Sequence, residues 1–408
     1  MIKINNKKQC SGCSACSTIC PKECIKLVED EEGFLYPRVD VKQCVNCGMC
    51  EKVCPFINRT INNNDINLAY AIKNKSDDLR KKASSGAVFY ELARETILKG
   101  GVVYGVEFEC DYRSIKHTRI DSIDKLDSIT KSKYLQSEVN RTFYECKLDL
   151  LKGRRVLFSG TPCQINGLLN YLGKYYENLL TVEVVCHGVP SKKLYDEYLL
   201  YLQSKYKGKV SSFNFRRKLL NGDKFGVFYE ENKVKVFEPI SKNLYMKYFL
   251  TDVALRPSCY DCKSKNTGRP DITLADFWGI QNVCGDFSDE LGVSLVIIHN
   301  QTAKEMLKND YLNIVEVPTS DSLKSNPSYY KSSNKPKNRD KFYLNNPFSL
   351  RNRIKLQVIT YKNTVFRKVK SVIKRIFILF KILPKNSESS QSRDLIYGVE
   401  IVLQQNNE

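Results

Sequence analysis

Apolar residues recur three or four apart across residues 87–99, with Phe89, Leu92, Ala93, Thr96 and Ile97 on one side, and this spacing predicts an amphipathic helix. Residues 139–151 look helical too, as do a stretch near 165–172 and a longer one from about 191 to 206. Between them lie short apolar runs at 102–108, 156–159 and 179–185, with the length and composition of buried strands. Strand-like runs follow near 211–216, 225–229 and 234–237, and a late one at 293–299. Helix and strand patterns therefore alternate from about residue 70 to 320, which predicts an α+β fold with a mixed α/β body. The flanks break this pattern. Residues 58–67 are polar and turn-rich and predict a linker, and residues 321–350, rich in Ser, Asn, Lys and Pro, predict an extended polar connection. In 351–408, Phe366, Val369, Val372, Ile373, Ile376, Phe377, Phe380 and Leu383 return at helical spacing among Arg367, Lys368, Lys370, Lys374, Arg375 and Lys381. That is a basic amphipathic helix, suited to an anionic membrane surface or to packing on protein.

At 408 residues the chain exceeds one compact core and predicts two or three domains. Its hydrophobic content of 42% and charged content of 27% are those of a globular protein. The formal charge of +20 is uneven, because residues 351–385 hold eleven Lys or Arg and no acid. This local excess argues against a uniformly basic nucleic-acid binder. The start, MIKINNKKQC, lacks the apolar stretch of a signal peptide, and no run of about 18 apolar residues predicts a transmembrane helix. The expectation is a cytoplasmic protein, with peripheral contact to the inner membrane face through 351–385.

Sixteen cysteines change the picture. Cys10, Cys13, Cys16 and Cys20 precede Pro21, and Cys44, Cys47, Cys50 and Cys54 precede Pro55. Both runs read C-x2-C-x2-C-x3-C-P, the bacterial two-cluster ferredoxin pattern, in which the last cysteine of each run ligates the other cluster. One 4Fe–4S cluster is thus expected on Cys10, Cys13, Cys16 and Cys54, the other on Cys44, Cys47, Cys50 and Cys20. Small residues between the cysteines leave room for inorganic sulfide. Structural zinc also uses C-x2-C pairs but has no need of runs of four. Cys24 falls outside the pattern and is expected to be a spare thiol. Residues 1–57 form this ferredoxin-like module; no other repeat is present.

A second set, Cys163, Cys186 and the pair Cys259 and Cys262, lies in loops, two of which follow buried strands, where α/β proteins build their sites. Spacing alone admits a third 4Fe–4S cluster, a zinc ion or core thiols.

The strings KASSGAVFYELARETILKGG (82–101), KSKYLQS (131–137), FSGTPCQINGL (158–168), CHGVP (186–190) and RPSCYDCKSKNTGRPDITLADFWG (256–279) narrow the choice. With the ferredoxin runs they make residues 1–320 resemble the beta-subunit family of coenzyme F-420 hydrogenases and dehydrogenases, which also includes a plant reductase of hydroxymethyl chlorophyll. The resemblance divides the body into 70–152 and 153–320. It implies FAD and a further iron–sulfur cluster in that body, the latter on Cys163, Cys186, Cys259 and Cys262. No G-x-G-x-x-G fingerprint follows a strand, so a dinucleotide Rossmann site is not indicated. Instead Ser84, Ser85 and Gly86 open a helix at Ala87 and suit either a phosphate or an ordinary cap. Lys133, Tyr134, Gln136 and Ser137 would offer a charge, a ring and polar handles to a flavin, with Thr161 and Pro162 beside Cys163. His187 and Lys133 are candidate proton-handling residues, and Asp276, Trp278 and Gly279 form a family-like loop. The expected protein is an iron–sulfur flavoprotein oxidoreductase fed by ferredoxin or a similar carrier, with an unknown small-molecule substrate. A non-catalytic electron-transfer subunit and a metal-stabilised membrane-associated binding protein are the alternatives.

Overall fold

The computed structural model describes residues 1–62, 67–218, 225–231, 233–344 and 347–348; the basic helix predicted in 351–408 lies outside them. The strands in chain order are β1 Ile25–Glu29, β2 Leu35–Val39, β3 Leu68–Asn74, β4 Val102–Phe108, β5 Ile115–Ile120, β6 Val156–Gly160, β7 Leu179–Val184, β8 Val210–Lys218, β9 Phe225–Glu231, β10 Val234–Pro239, β11 Ile272–Asp276, β12 Ser294–Ile298 and β13 Leu312–Val317. The longer helices are α1 Val88–Leu98, α2 Thr142–Leu151, α3 Pro162–Leu172, α4 Lys192–Tyr206 and α5 Leu244–Leu250.

Eight strands form one sheet in the order β13-β3-β12-β11-β7-β6-β4-β5. Its centre is parallel, since β4 pairs with β6, β6 with β7 and β7 with β11. Antiparallel strands flank it, β5 on one side and β12, β3 and β13 on the other. Successive side chains on β4 and β6 point to opposite faces. Val103 and Leu157 accordingly join the apolar layer with Val88 and Leu92 of α1. Val102, Tyr104, Val156 and Phe158 join the layer with Phe143 of α2 and with Ile165 and Leu168 of α3. A second, antiparallel sheet, β10-β9-β8, packs its aromatic face on α4 and α5, with Phe213 and Phe215 against Tyr195 and Tyr245.

The cysteine-rich N-terminus is built around the β1–β2 hairpin. Its Cys13, Ala15 and Val53 belong to the same apolar cluster as Phe143, Phe158 and Leu168, so its core continues into that of the body. Residues Met1–Phe348 form one compact unit. The stretch expected as an extended connection instead carries short helices at Thr319–Leu323 and Arg339–Phe342. Arg339 is buried there and forks onto Glu32 beside the N-terminal hairpin, with Nη2 to Oε2 at 2.6 Å. Its guanidinium also donates to the Leu255 carbonyl at 2.9 Å, so a polar composition here covers one long-range anchor. Among the described residues, no helix is long and apolar enough to cross a membrane.

Candidate iron–sulfur and flavin sites

The two cysteine runs fold alike. The third position of each, Gly12 and Asn46, has φ of 68° and 54°, and the fifth, Ser14 and Gly48, has 68° and 74°. These left-handed residues curl the chain so that amide N–H groups face sulfur, a conformation that Gly and Asn adopt readily. Gly12 N donates to Cys10 Sγ at 3.4 Å, Asn46 N to Cys44 Sγ at 3.4 Å and Ile2 N to Cys50 Sγ at 3.2 Å. A single helical turn lies inside each run, at Ala15–Thr18 and Met49–Lys52, and carries its third cysteine, Cys16 or Cys50.

Two cavities result. One is lined by Cys10, Cys13, Cys16 and Cys54. The other is lined by Cys20, Cys44, Cys47 and Cys50. Each thus receives three sulfurs from one run and one from the other. Cys24, expected to be a spare thiol, lines the second cavity with its sulfur 3.4 Å from that of Cys20. Among the described residues no three His, Cys, Asp or Glu side chains converge as a single metal ion requires. In each set the four sulfurs line one pocket, which fits the four-cysteine ligation of a cubane. Burial pushes the Cys13 thiol up to about 12 and raises Cys16 and Cys54, with neighbouring thiols adding to the effect. Metal binding must displace these protons.

The body cysteines meet at the carboxyl edge of the parallel strands, where open α/β sheets place ligands. Cys163 follows Pro162 at the start of α3, which Thr161 and Gln164 close with a reciprocal capping box. Cys186 follows β7, and Cys259 and Cys262 sit in and just beyond the tight turn Pro257–Asp261. Burial pushes Cys163 up to about 11 and Cys259 to about 12, and raises Cys186 and Cys262; the charges of the four act on one another. Lys265 lies over the group and donates to the Cys186 carbonyl. A Cβ on Gly188 would meet Leu255 at 2.8 Å and the Cβ of Cys259 at 3.3 Å, so only glycine lets the Cys186 loop approach this turn.

The cysteine sets are contiguous. The charge of Cys50 acts on Cys16, and that of Cys163 on Cys13. A Cβ on Gly167 in α3 would stand 3.1 Å from both Cβ and Sγ of Cys13, so the first run rests directly on the helix that presents Cys163. At the outer end of the series Cys47 is exposed.

The expected flavin residues divide into three groups. Tyr134 is half-buried near the guanidinium of Arg216, which pairs with Asp276 at the end of β11 and lies 5.6 Å from the half-exposed Trp278 ring. Lys133 donates to the Thr130 carbonyl at 2.8 Å, and burial lowers its pKa to about 7. The Phe249 ring joins this group to the third cysteine set, 5.0 Å from the Tyr134 ring and 5.1 Å from the His187 ring, while His187 Nε2 lies 2.6 Å from Asp252 Oδ1. In the second group, Ser84 Oγ accepts from Ser132 N at 2.8 Å and Ser85 Oγ donates to Val293 O at 2.9 Å. Gly86 N donates to Ser294 Oγ at 3.0 Å, and α1 begins only after Ala87, so this turn is stitched to its neighbours. The third group turns elsewhere. Gln136 donates to the Ser11 carbonyl at 2.9 Å, inside the first cysteine run. Ser137 Oγ lies 3.2 Å from His117 Nδ1 and accepts from Gln164 Nε2 at 2.9 Å, and Thr161 Oγ1 lies 3.2 Å from Cys163 Sγ.

Sequence reasoning passed over Arg216, Gln164, Lys265 and Arg256. For Gln164 a signal existed, since T-P-x-Q is a capping box with proline at its first helical position.

Residues 9–58 match the family model for the 4Fe-4S dicluster domain. Residues 153–319 match that for the C terminus of the coenzyme F420 hydrogenase/dehydrogenase beta subunit. No curated protein matches the chain. Among solved structures, a chain of the F420-reducing NiFe hydrogenase complex from Methanosarcina barkeri, described in its xenon derivatization, aligns with TM-score 0.41 and 14% identity, over 63% of this chain and 84% of that one. The protein is thus an iron–sulfur redox protein that carries a 4Fe-4S dicluster domain over residues 9–58 and is related, over residues 153–319, to the C terminus of the coenzyme F420 hydrogenase/dehydrogenase beta subunit.

Proposed function

We propose that the protein is an iron–sulfur flavoprotein oxidoreductase that passes electrons between a small carrier and a two-electron substrate. The observation that carries this reading is the succession of sulfur sets, from exposed Cys47 beside Cys50, which clusters with Cys16, to Cys13 against the helix that presents Cys163, ending at the Phe249, Tyr134 and Arg216 group. Such a series suits single electrons arriving at one surface and leaving in pairs at another. Cys10, Cys13, Cys16 and Cys54 would hold one 4Fe–4S cluster, Cys20, Cys44, Cys47 and Cys50 a second, and Cys163, Cys186, Cys259 and Cys262 a third. Lys133, Tyr134, Arg216 and Trp278 would hold FAD, which supplies conversion between one- and two-electron chemistry when bound. Lys133, with its lowered pKa, and His187, beside Asp252, would move protons at that end. Val45 and Met49 are exposed and line the pocket of Cys47 together with Lys22, a surface that fits an acidic carrier such as ferredoxin.

The engaged hydroxyls of Ser84 and Ser85 favour a second reading, an electron-transfer subunit without its own flavin. Anaerobic purification with iron, sulfide and flavin counts separates the two. About twelve irons and one FAD support the oxidoreductase, at four irons to a cluster. About twelve irons without flavin support the subunit, and about eight remove the third cluster.

A further inference from the structure

Arg256 is wholly buried, yet among the described residues no carboxylate pairs with it. Its donors go to neutral acceptors: Nε to Cys10 O at 2.8 Å, Nη1 to Gln136 Oε1 at 3.0 Å and Nη2 to Leu35 O at 2.7 Å. Nη2 also lies 3.7 Å from Cys10 Sγ. The guanidinium plane is covered by Tyr36 at 4.3 Å. Its charge acts on Cys163 and on Cys259. A buried cation requires a counter-charge. The anions this position can face are thiolate sets, one from the N-terminal run and one from the body.

We propose that Arg256 is a positioning residue shared by two clusters, the one on Cys10, Cys13, Cys16 and Cys54 and the one on Cys163, Cys186, Cys259 and Cys262; the second rests on the function proposed above. Each cluster gains one negative charge when it accepts one electron, with no bond or proton exchanged. A fixed positive charge between the two favours the reduced state of both. It raises their potentials together and keeps them matched for transfer across the α3 contact. Lys265 donates to the Cys186 carbonyl of the body set, and the hydrogen-bond partners of Arg256, on Cys10, Gln136 and Leu35, lie outside the set of Cys20, Cys44, Cys47 and Cys50.

The test is a redox titration, followed by electron paramagnetic resonance, of the full-length protein and of Arg256→Gln and Arg256→Lys. Arg256→Gln should lower the one-electron reduction equilibrium of two clusters by tenfold or more, which is about 59 mV or more for one electron. The outer cluster, an internal control, should not move. Arg256→Lys should lie closer to the unaltered protein, because it keeps the charge and loses only the fork. Unchanged potentials in Arg256→Gln overturn the inference, as does an equal shift of every cluster. If Arg256→Gln does not assemble its clusters, Arg256→Lys decides: full iron content supports a requirement for charge, and failure to load overturns it in favour of packing. Eight irons in the unaltered protein would sink the underlying reading instead, and that result is visible before any variant is made.

Discussion

Replacing Gly167 by Ala should have opposite effects on the iron-free and iron-loaded proteins. In a helix interior, alanine is favoured over glycine by about 0.8–1 kcal/mol. The new Cβ, however, would stand 3.1 Å from both Cβ and Sγ of Cys13 and 3.5 Å from the Phe143 ring. Ordinary carbon contacts lie at about 3.5–4.0 Å, so Cys13 must yield by roughly half an ångström. A free thiol on a one-turn segment can do so. A thiol fixed to a cluster cannot, and overpacking of a fixed neighbour costs about 1–3 kcal/mol. The variant should therefore be neutral to about 1 kcal/mol more stable without iron. Loaded with iron, it should be up to about 2 kcal/mol less stable once the helix gain is set against the overpacking, with bleaching of the visible chromophore accelerated up to about thirtyfold at about 1.4 kcal/mol per tenfold. Urea unfolding of the iron-free protein and anaerobic bleaching of the loaded protein give the two numbers. Equal stabilisation of both forms would refute the claim that Cys13 is held rigidly against α3 by a ligand.

Four further outcomes follow from the same geometry. Cys163→Ser should remove about four irons by elemental analysis and leave about eight, since the N-terminal cavities do not include it. Arg339→Met should cost about 2–4 kcal/mol in chemical unfolding, because it strands the partly buried Glu32 and frees the Leu255 carbonyl; a loss below about 0.5 kcal/mol would mean the fork is idle. Burial holds the folded pKa of Lys133, about 7, below its ordinary 10.5. Its burial penalty is therefore complete below pH 7 and fades as pH rises to 10.5. The stability advantage of Lys133→Met over the unaltered protein without cofactors should shrink across that window by about 1.4 kcal/mol per pH unit, and a flat difference would contradict a buried amine. Deleting 351–408 should abolish co-sedimentation with anionic vesicles if the basic helix is a surface anchor, each basic residue contributing about 1 kcal/mol; unchanged sedimentation would rule that out.

The elements read most clearly from sequence were those whose own burial pattern is periodic. The 102–108 run is β4 to the residue, and 191–206 is α4 with Ser191 as its cap. Edge strands were missed. β5 carries the polar Lys116, Thr118 and Arg119, and β13 exposes Asn313 to Glu316, so neither shows a buried run. Polar composition misled at 321–350, because the contacts that order it are long-range: Arg339 meets Glu32 across 307 residues, and Ser333 and Tyr343 donate to the carbonyls of His187 and Ala254.

Sulfur chemistry is local, and for that reason the amino-acid order alone determined that eight N-terminal cysteines form two crossed sets: a cubane corner is reached by a turn of three residues, and that turn is written in the spacing. Proximity between distant segments is not written anywhere in the spacing. Gln136 has the same composition whether it faces a flavin or a cysteine run, and only packing sends it to Ser11. Arg256 meets Cys10 across 246 residues, and only the fold places that charge beside sulfur from both the N-terminal run and the body.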